Sequence, residues 1–175
     1  MSVAQKAGPA GAAGAVRLRP PRNAVHRRAI TMWTTRSAVG YGLVALVFVA
    51  LAVFVDGAGT VFAVLAFLTV LAGACYAIVV PRWRYGVHRW EVTEDAVYTS
   101  SGWLWHQYRV APMSRIQTVD TMRGPFYQLF KLSAVTVTTA SAMGPLRIDG
   151  LDEEFARDLV EKLNRVTQTT PGDAT

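Results

Sequence analysis

Two apolar runs separated by four residues constrain this chain more than any other feature. Ser37 to Val55 is 19 residues without a charge, and Thr60 to Val80 is 21 more. Only Asp56-Gly57-Ala58-Gly59 lies between them. At about 1.5 Å rise per residue each run reaches ~28–31 Å, close to the ~30 Å hydrocarbon layer of a bilayer. A loop that short permits only an antiparallel hairpin. The sequence therefore predicts two transmembrane helices, about 37–55 and 60–80, within a segment 24–86. The first run is not read as a cleaved signal peptide, because it starts after 36 residues and a second span follows at once.

Charge placement orients the hairpin. Lys6, Arg17, Arg19, Arg22, Arg27, Arg28 and Arg36 precede it, the loop holds no Lys or Arg, and Arg82, Arg84 and Arg89 follow. Basic flanks stay inside, so both termini and the following domain are expected on the cytoplasmic side of the plasma membrane. This juxtamembrane excess accounts for the net charge of +6, and nucleic-acid binding is not expected. The single Cys75 lies within the second span and is read as a small apolar residue.

Residues 1–23, rich in Ala, Gly, Pro and Arg, read as a disordered basic tail. Val25, Ala29, Met32 and Trp33 recur three or four apart, which fits either a short helix on the membrane surface or the first turns of the span. Pro81 is expected to end the second span. Arg82, Trp83, Arg84, Tyr85 and Arg89 are expected to contact the membrane surface and orient the domain.

From His88 the pattern becomes short strands. Thr93-Glu94-Asp95-Ala96 turns between Trp90-Glu91-Val92 and Val97-Tyr98, and Trp103 to Val110 reads as a third strand. Ile116 to Met122, Ala134 to Ala140 and Leu146 to Ile148 follow, with a helical turn or loop from Phe126. Asp152 can cap a final helix whose apolar stripe is Phe155, Leu159, Val160, Leu163 and Val166. The fold class is thus a membrane helical hairpin, then a mainly-β sandwich or barrel at 87–166 with a C-terminal α-helix, then a polar tail 167–175.

The segment Tyr108-Arg109-Val110-Ala111-Pro112-Met113-Ser114-Arg115-Ile116-Gln117-Thr118-Val119-Asp120 resembles the P-x-S-R-I-Q-x-V stretch of YdbS-like bacterial pleckstrin-homology (PH) domain membrane proteins. Gly124 to Phe130 and Val135 to Ser141 look like its continuation, and two spans ahead of the domain match the same architecture. Lys131 departs from that pattern, which usually has Gly after the Phe. The resemblance implies a PH-like fold of two packed antiparallel sheets and a C-terminal helix, and it implies no enzyme.

Arg115 and Gln117 are the sharpest local candidates, either as a polar site for a headgroup or carboxylate or as structural ties between strand ends. Trp103, Trp105 and Tyr108 suggest an aromatic patch, facing membrane, core or a partner. Gly73-x-x-x-Ala77 suggests helix packing within the hairpin. His26, His88 and His106 lack metal spacing, the serines sit in no nucleophile motif, and no cofactor is expected. The leading expectation is a non-enzymatic interaction module scaffolding a membrane or envelope complex. Its partners would be the lipid bilayer and a membrane protein or a second copy. The alternative is a sensor of anionic lipid, and an enzyme would need a constellation not found here. A basic cavity facing the bilayer would favour lipid, and an exposed apolar groove or sheet edge a protein partner.

Topology is testable directly. A Cys placed at Ala58 should react with an impermeant maleimide from outside the cell, and one at Ser101 should not. The reverse pattern would overturn the assignment.

Overall fold

The computed structural model describes residues 21–102, 107–140 and 144–169. The order is β1 (Asn23–Ala24), α1 (Arg28–Phe54), α2 (Gly59–Val87), β2 (Arg89–Val92), β3 (Ala96–Ser101), β4 (Gln107–Pro112), β5 (Ile116–Met122), α3 (Pro125–Leu129), β6 (Leu132–Thr139), β7 (Leu146–Asp152) and α4 (Glu153–Thr169). One antiparallel sheet runs β1-β2-β3-β4 and the other β5-β6-β7. Most of the expected tail at 1–23, the Trp103-Trp105 pair, Ser141 and the polar tail beyond Thr169 lie outside the described residues.

The hairpin helices are 27 and 29 residues, about 40 and 44 Å long, so each exceeds the ~30 Å apolar layer. The surplus lies at the domain end, because the loop follows the apolar runs immediately. Large side chains such as Leu46, Val53, Phe54 and Phe67 are exposed on the hairpin surface. Such a surface suits lipid and not water. Cys75 is exposed there too, and is not packed between helices. Between the helices a Cβ on Gly73 would come within 2.6 Å of Tyr41 Cβ, and Ala77 is buried one turn on. The small residues of Gly73-x-x-x-Ala77 thus let α1 and α2 approach.

Pro81, expected to end the second span, lies inside α2, and the helix itself continues to Val87. Proline has no N–H for the carbonyl four residues back. That carbonyl, of Ala77, instead accepts a hydrogen bond from the Thr34 hydroxyl of α1 at 3.3 Å. The neighbouring helix replaces the lost donor, and the helix runs on.

The stripe Val25, Ala29, Met32 and Trp33 belongs to the first turns of α1 and the arm before it, and no separate surface helix forms. It is buried in the domain core with Leu132, Val135, Ile148 and Leu163. The domain therefore starts before the hairpin, not at residue 87. Asn23 and Ala24, at the edge of the expected tail, pair with Trp90 and Arg89. α1 meets β7 at Gly150, where an added Cβ would lie 2.7 Å from Ala29 Cβ and where φ is +75°. The His26 N–H donates to the Gly150 carbonyl at 2.8 Å, and Arg28 reaches Asp152 at 3.5 Å.

Most strands fall where alternation put them. Thr93 closes its hairpin turn through its N–H to the Ala96 carbonyl, 2.9 Å, while its hydroxyl accepts from the Ala96 N–H, 3.1 Å. β7 extends to Asp152, beyond the expected end at Ile148. Asp152 caps α4 by accepting from the Glu154 N–H at 3.2 Å. Ala156, Leu159 and Leu163 form the buried face of α4 against the second sheet. Phe155 is largely exposed and lies 5.3 Å from the Trp90 ring.

Lys131 occupies the turn between α3 and β6 with φ +53°, the conformation that glycine adopts freely. Its carbonyl accepts from the Glu153 N–H at 3.3 Å, so the turn also ties α4 down. A left-handed residue with a Cβ costs roughly 1–2 kcal/mol, partly offset in glycine by unfolded-chain entropy. Lys131→Gly should therefore stabilise the protein by about 0.5–1 kcal/mol, read as a higher Tm in detergent. A lower Tm would show that the lysine side chain does more than occupy the turn.

Candidate functional site at the junction of hairpin and domain

β7 carries Arg147 and Asp149 two residues apart, hence on one face. That face meets the end of α2. Asp149 is buried, and its Oδ1 accepts from Arg147 Nε at 2.6 Å and from the Tyr127 hydroxyl at 3.0 Å. Its Oδ2 accepts from Arg84 Nη2 of α2 at 3.0 Å. Its backbone N–H donates to His88 Nε2 at 3.1 Å. One acidic residue thus gathers a strand, a short helix and the end of a membrane span.

Arg84 is fixed from a second direction. Its guanidinium lies 4.4 Å from the Trp33 ring centroid, a cation–π contact between α2 and α1. Trp33 meets His88 edge to face at 6.2 Å. Accepting at Nε2 assigns the imidazole proton to Nδ1, which is buried without a hydrogen-bond partner among the described residues.

The charges settle accordingly. Burial lowers His88 to about 4, the nearby Arg84 charge adds to this, and Asp149 only partly opposes it. His88 is therefore neutral at physiological pH. Burial alone would raise the Asp149 carboxyl, but the Arg147 hydrogen bond and charge, then Arg84 and His88, hold it below the usual carboxylate value. Burial and the Asp149 charge raise the Tyr127 phenol, which stays protonated as a donor.

Beside this network opens a cavity of about 350 Å³. Arg84, Arg109 and Arg147 line it with His88, Thr99 and Gln107, and Asp149 is the one acid on its wall among the described residues. Arg109 donates one N–H to the Pro145 carbonyl at 2.9 Å. The rest of its fork has no partner among the described residues. A second cavity of about 480 Å³ lies between α1 and α2 and shares Tyr76, Val80 and Arg84 with the first.

The residues singled out in the sequence divide. Arg84 enters the network. Tyr85 packs partly against the core, and Arg82 donates to the Ile78 carbonyl at 2.6 Å. Trp83 and Arg89 are exposed. Arg115 sits in a single 3-10 turn, Met113–Arg115, and Gln117 at the irregularity of β5 between Ile116 and Thr118. Both side chains are exposed and line neither cavity. The Arg115 backbone carbonyl accepts from the Ala140 N–H at 3.3 Å, so a tie between strand ends exists but runs through the main chain. Tyr108 is exposed on β4. Asp149, His88, Tyr127, Arg109 and Arg147 escaped the sequence reading as site residues. The available signal was Arg147 and Asp149 at a two-residue spacing in a last strand that is apolar between them and around them up to Asp152.

Two sheets, a closing helix and a helical hairpin rooted in the core define a membrane-anchored PH-like protein. A family model described as Bacterial PH domain matches residues 38–167, and the chain belongs to that family. The chain is also similar to the UPF0699 transmembrane protein YdbS of Bacillus subtilis (strain 168), with 26% identity over 151 residues, 84% of this chain and 95% of that protein. No solved structure matches. The lipid-suited hairpin and the transmembrane relative together make this a membrane protein.

The buried imidazole predicts acid sensitivity. His88 in the unfolded chain takes a proton near pH 6.5, while the folded protein resists it down to about 4. The stability that neutral His88 contributes is therefore complete above the unfolded value and is lost as pH falls across that window. Below it, protonation of Asp149 removes more, because its folded value is depressed as well. Unfolding in detergent should show a stability slope of up to roughly 1.4 kcal/mol per pH unit between about pH 6.5 and about pH 4. His88→Gln keeps an acceptor that does not titrate, and should flatten the slope. An equal slope in that variant would assign it to another group.

Proposed function

We propose that this protein is a non-enzymatic module that recognises an anionic lipid headgroup at the membrane face on which its domain sits. The observation carrying the proposal is the basic cavity at the domain end of the hairpin, lined among the described residues by Arg84, Arg109 and Arg147 and by one carboxylate, Asp149. With basic flanks retained inside, that face is the inner leaflet of the plasma membrane. A docking groove for a protein segment would be chiefly apolar, whereas this opening suits a phosphate. Asp149 supports the reading by holding Arg84 and Arg147 in place, so that a headgroup meets prepositioned donors and less side-chain entropy is lost on binding. The scaffold expectation is the other outcome of the test.

Arg109 is the informative position, because its one bond among the described residues is to a carbonyl and the network does not rest on it. Delipidated protein in neutral detergent should retain dioleoylphosphatidylglycerol in preference to dioleoylphosphatidylcholine when analysed by native mass spectrometry. Arg109→Gln should cut that preference by roughly fivefold with Tm unchanged, since an Arg at an anionic surface contributes ~1 kcal/mol. Equal retention of the two lipids by the native protein would reject the reading and leave the scaffold role.

A further inference from the structure

The hairpin is closed on one face of α1 and open on the neighbouring face. At Gly73 the Tyr41 side chain fills the space a Cβ would need, and Tyr41 lies against Tyr76 with centroids 5.6 Å apart. At Gly40 nothing lies within 4 Å of an added Cβ. Spanning the level of these residues and reaching toward the domain is the cavity of about 480 Å³, walled by Gly40, Tyr41 and Val44 of α1 and by Tyr76 and Val80 of α2. Val44, on its rim, is 48% exposed, so the opening faces the surrounding lipid. From Tyr76 to Arg84 the slot extends about 12 Å along the helix.

Its two ends differ in chemistry. Toward mid-membrane the walls are apolar and aromatic. At the domain end Arg36 and Arg84 line the same slot, and Arg84 also lines the basic cavity. We propose that the slot between α1 and α2 seats the upper acyl chain of an anionic glycerophospholipid whose phosphate lies at Arg36 and Arg84. This rests on the headgroup reading and deepens it: the ligand is a whole lipid entering sideways from the leaflet, not a soluble headgroup arriving from the aqueous side. The occupant follows from charge complementarity. A second copy of the chain packed symmetrically over the slot would bring Arg36 and Arg84 toward their own counterparts, which like-charge repulsion opposes. A chain in the slot also covers apolar wall that no side chain of the hairpin covers.

The test compares three probes on the full-length protein in neutral detergent: dioleoylphosphatidylglycerol, dioleoylphosphatidylcholine, and glycerophosphoglycerol, the deacylated anionic headgroup. Binding of each is read by native mass spectrometry and by quenching of tryptophan fluorescence. The native protein should bind the acylated anionic lipid at least about tenfold more tightly than the deacylated one. Gly40→Leu, which projects a side chain into open space, should lose that advantage while binding of glycerophosphoglycerol is unchanged. Val44→Phe, at the rim, repeats the test should the first variant fold poorly, and Tm reports folding for both. Equal affinity for the two anionic probes, or undiminished lipid binding in both variants, would overturn the slot and leave the headgroup site standing. Failure to distinguish phosphatidylglycerol from phosphatidylcholine would instead remove the headgroup site itself.

Discussion

The close approach of α1 to the last strand at Gly150 is the contact on which the rest of this structure depends. A residue with a Cβ there would meet Ala29 at 2.7 Å and would be strained by a φ of +75°. With glycine in place the first turns of α1 lie on β7, and Val25, Ala29, Met32 and Trp33 enter the core. That seating carries Trp33 to Arg84 and His88. It also sets β7 in register with the end of α2, so that Asp149, one residue before the glycine, meets Arg84. The hairpin is thereby joined to the domain by packing and by buried hydrogen bonds, and not by a flexible linker.

The junction shows how one carboxylate organises several cations. Burying Asp149 without partners would be costly, and Arg84 and Arg147, both partly exposed, would without it set like charges side by side. Together they form a satisfied group, with Tyr127 and the neutral His88 completing it. Three arginines against one acid leave positive charge at the cavity wall. That surplus gives the site its electrostatic character.

Much of the architecture was legible because lipid and sheet both impose strong periodicities. The spans could be read from uninterrupted apolar length, and β5 and β6 from alternation. Position 131 could be marked as unusual, since the resemblance implied glycine there, and Lys131 does adopt a left-handed conformation. What stayed hidden depended on neighbours. Pro81 obeys the rule that removes a hydrogen bond, but the compensating donor, Thr34, lies 43 residues away on another helix. An amphipathic stripe such as Val25 to Trp33 looks the same whether it faces headgroups or a protein core. Asp149 and His88, 61 residues apart, become a site only when β7 and α2 meet. Arg115 and Gln117 stood out in the sequence, and the fold leaves both exposed beside the bulge of β5, away from the two cavities.

One feature of the topology bears on how the molecule is made. The two-residue strand β1 comes before the hairpin, and its partner β2 comes after it. In chain order the transmembrane hairpin is thus an insertion within the β-domain, between the edge of a sheet and the strand it pairs with. The arm and the first turns of α1 emerge from the ribosome some 60 residues ahead of β2, and wait unpaired while the spans enter the bilayer. With one span threaded the two parts of the sheet lie on opposite sides of the membrane, and with both threaded they stand on the same side. Pairing of β1 with β2 is thus incompatible with a half-threaded hairpin, in which the membrane would lie between the two strands.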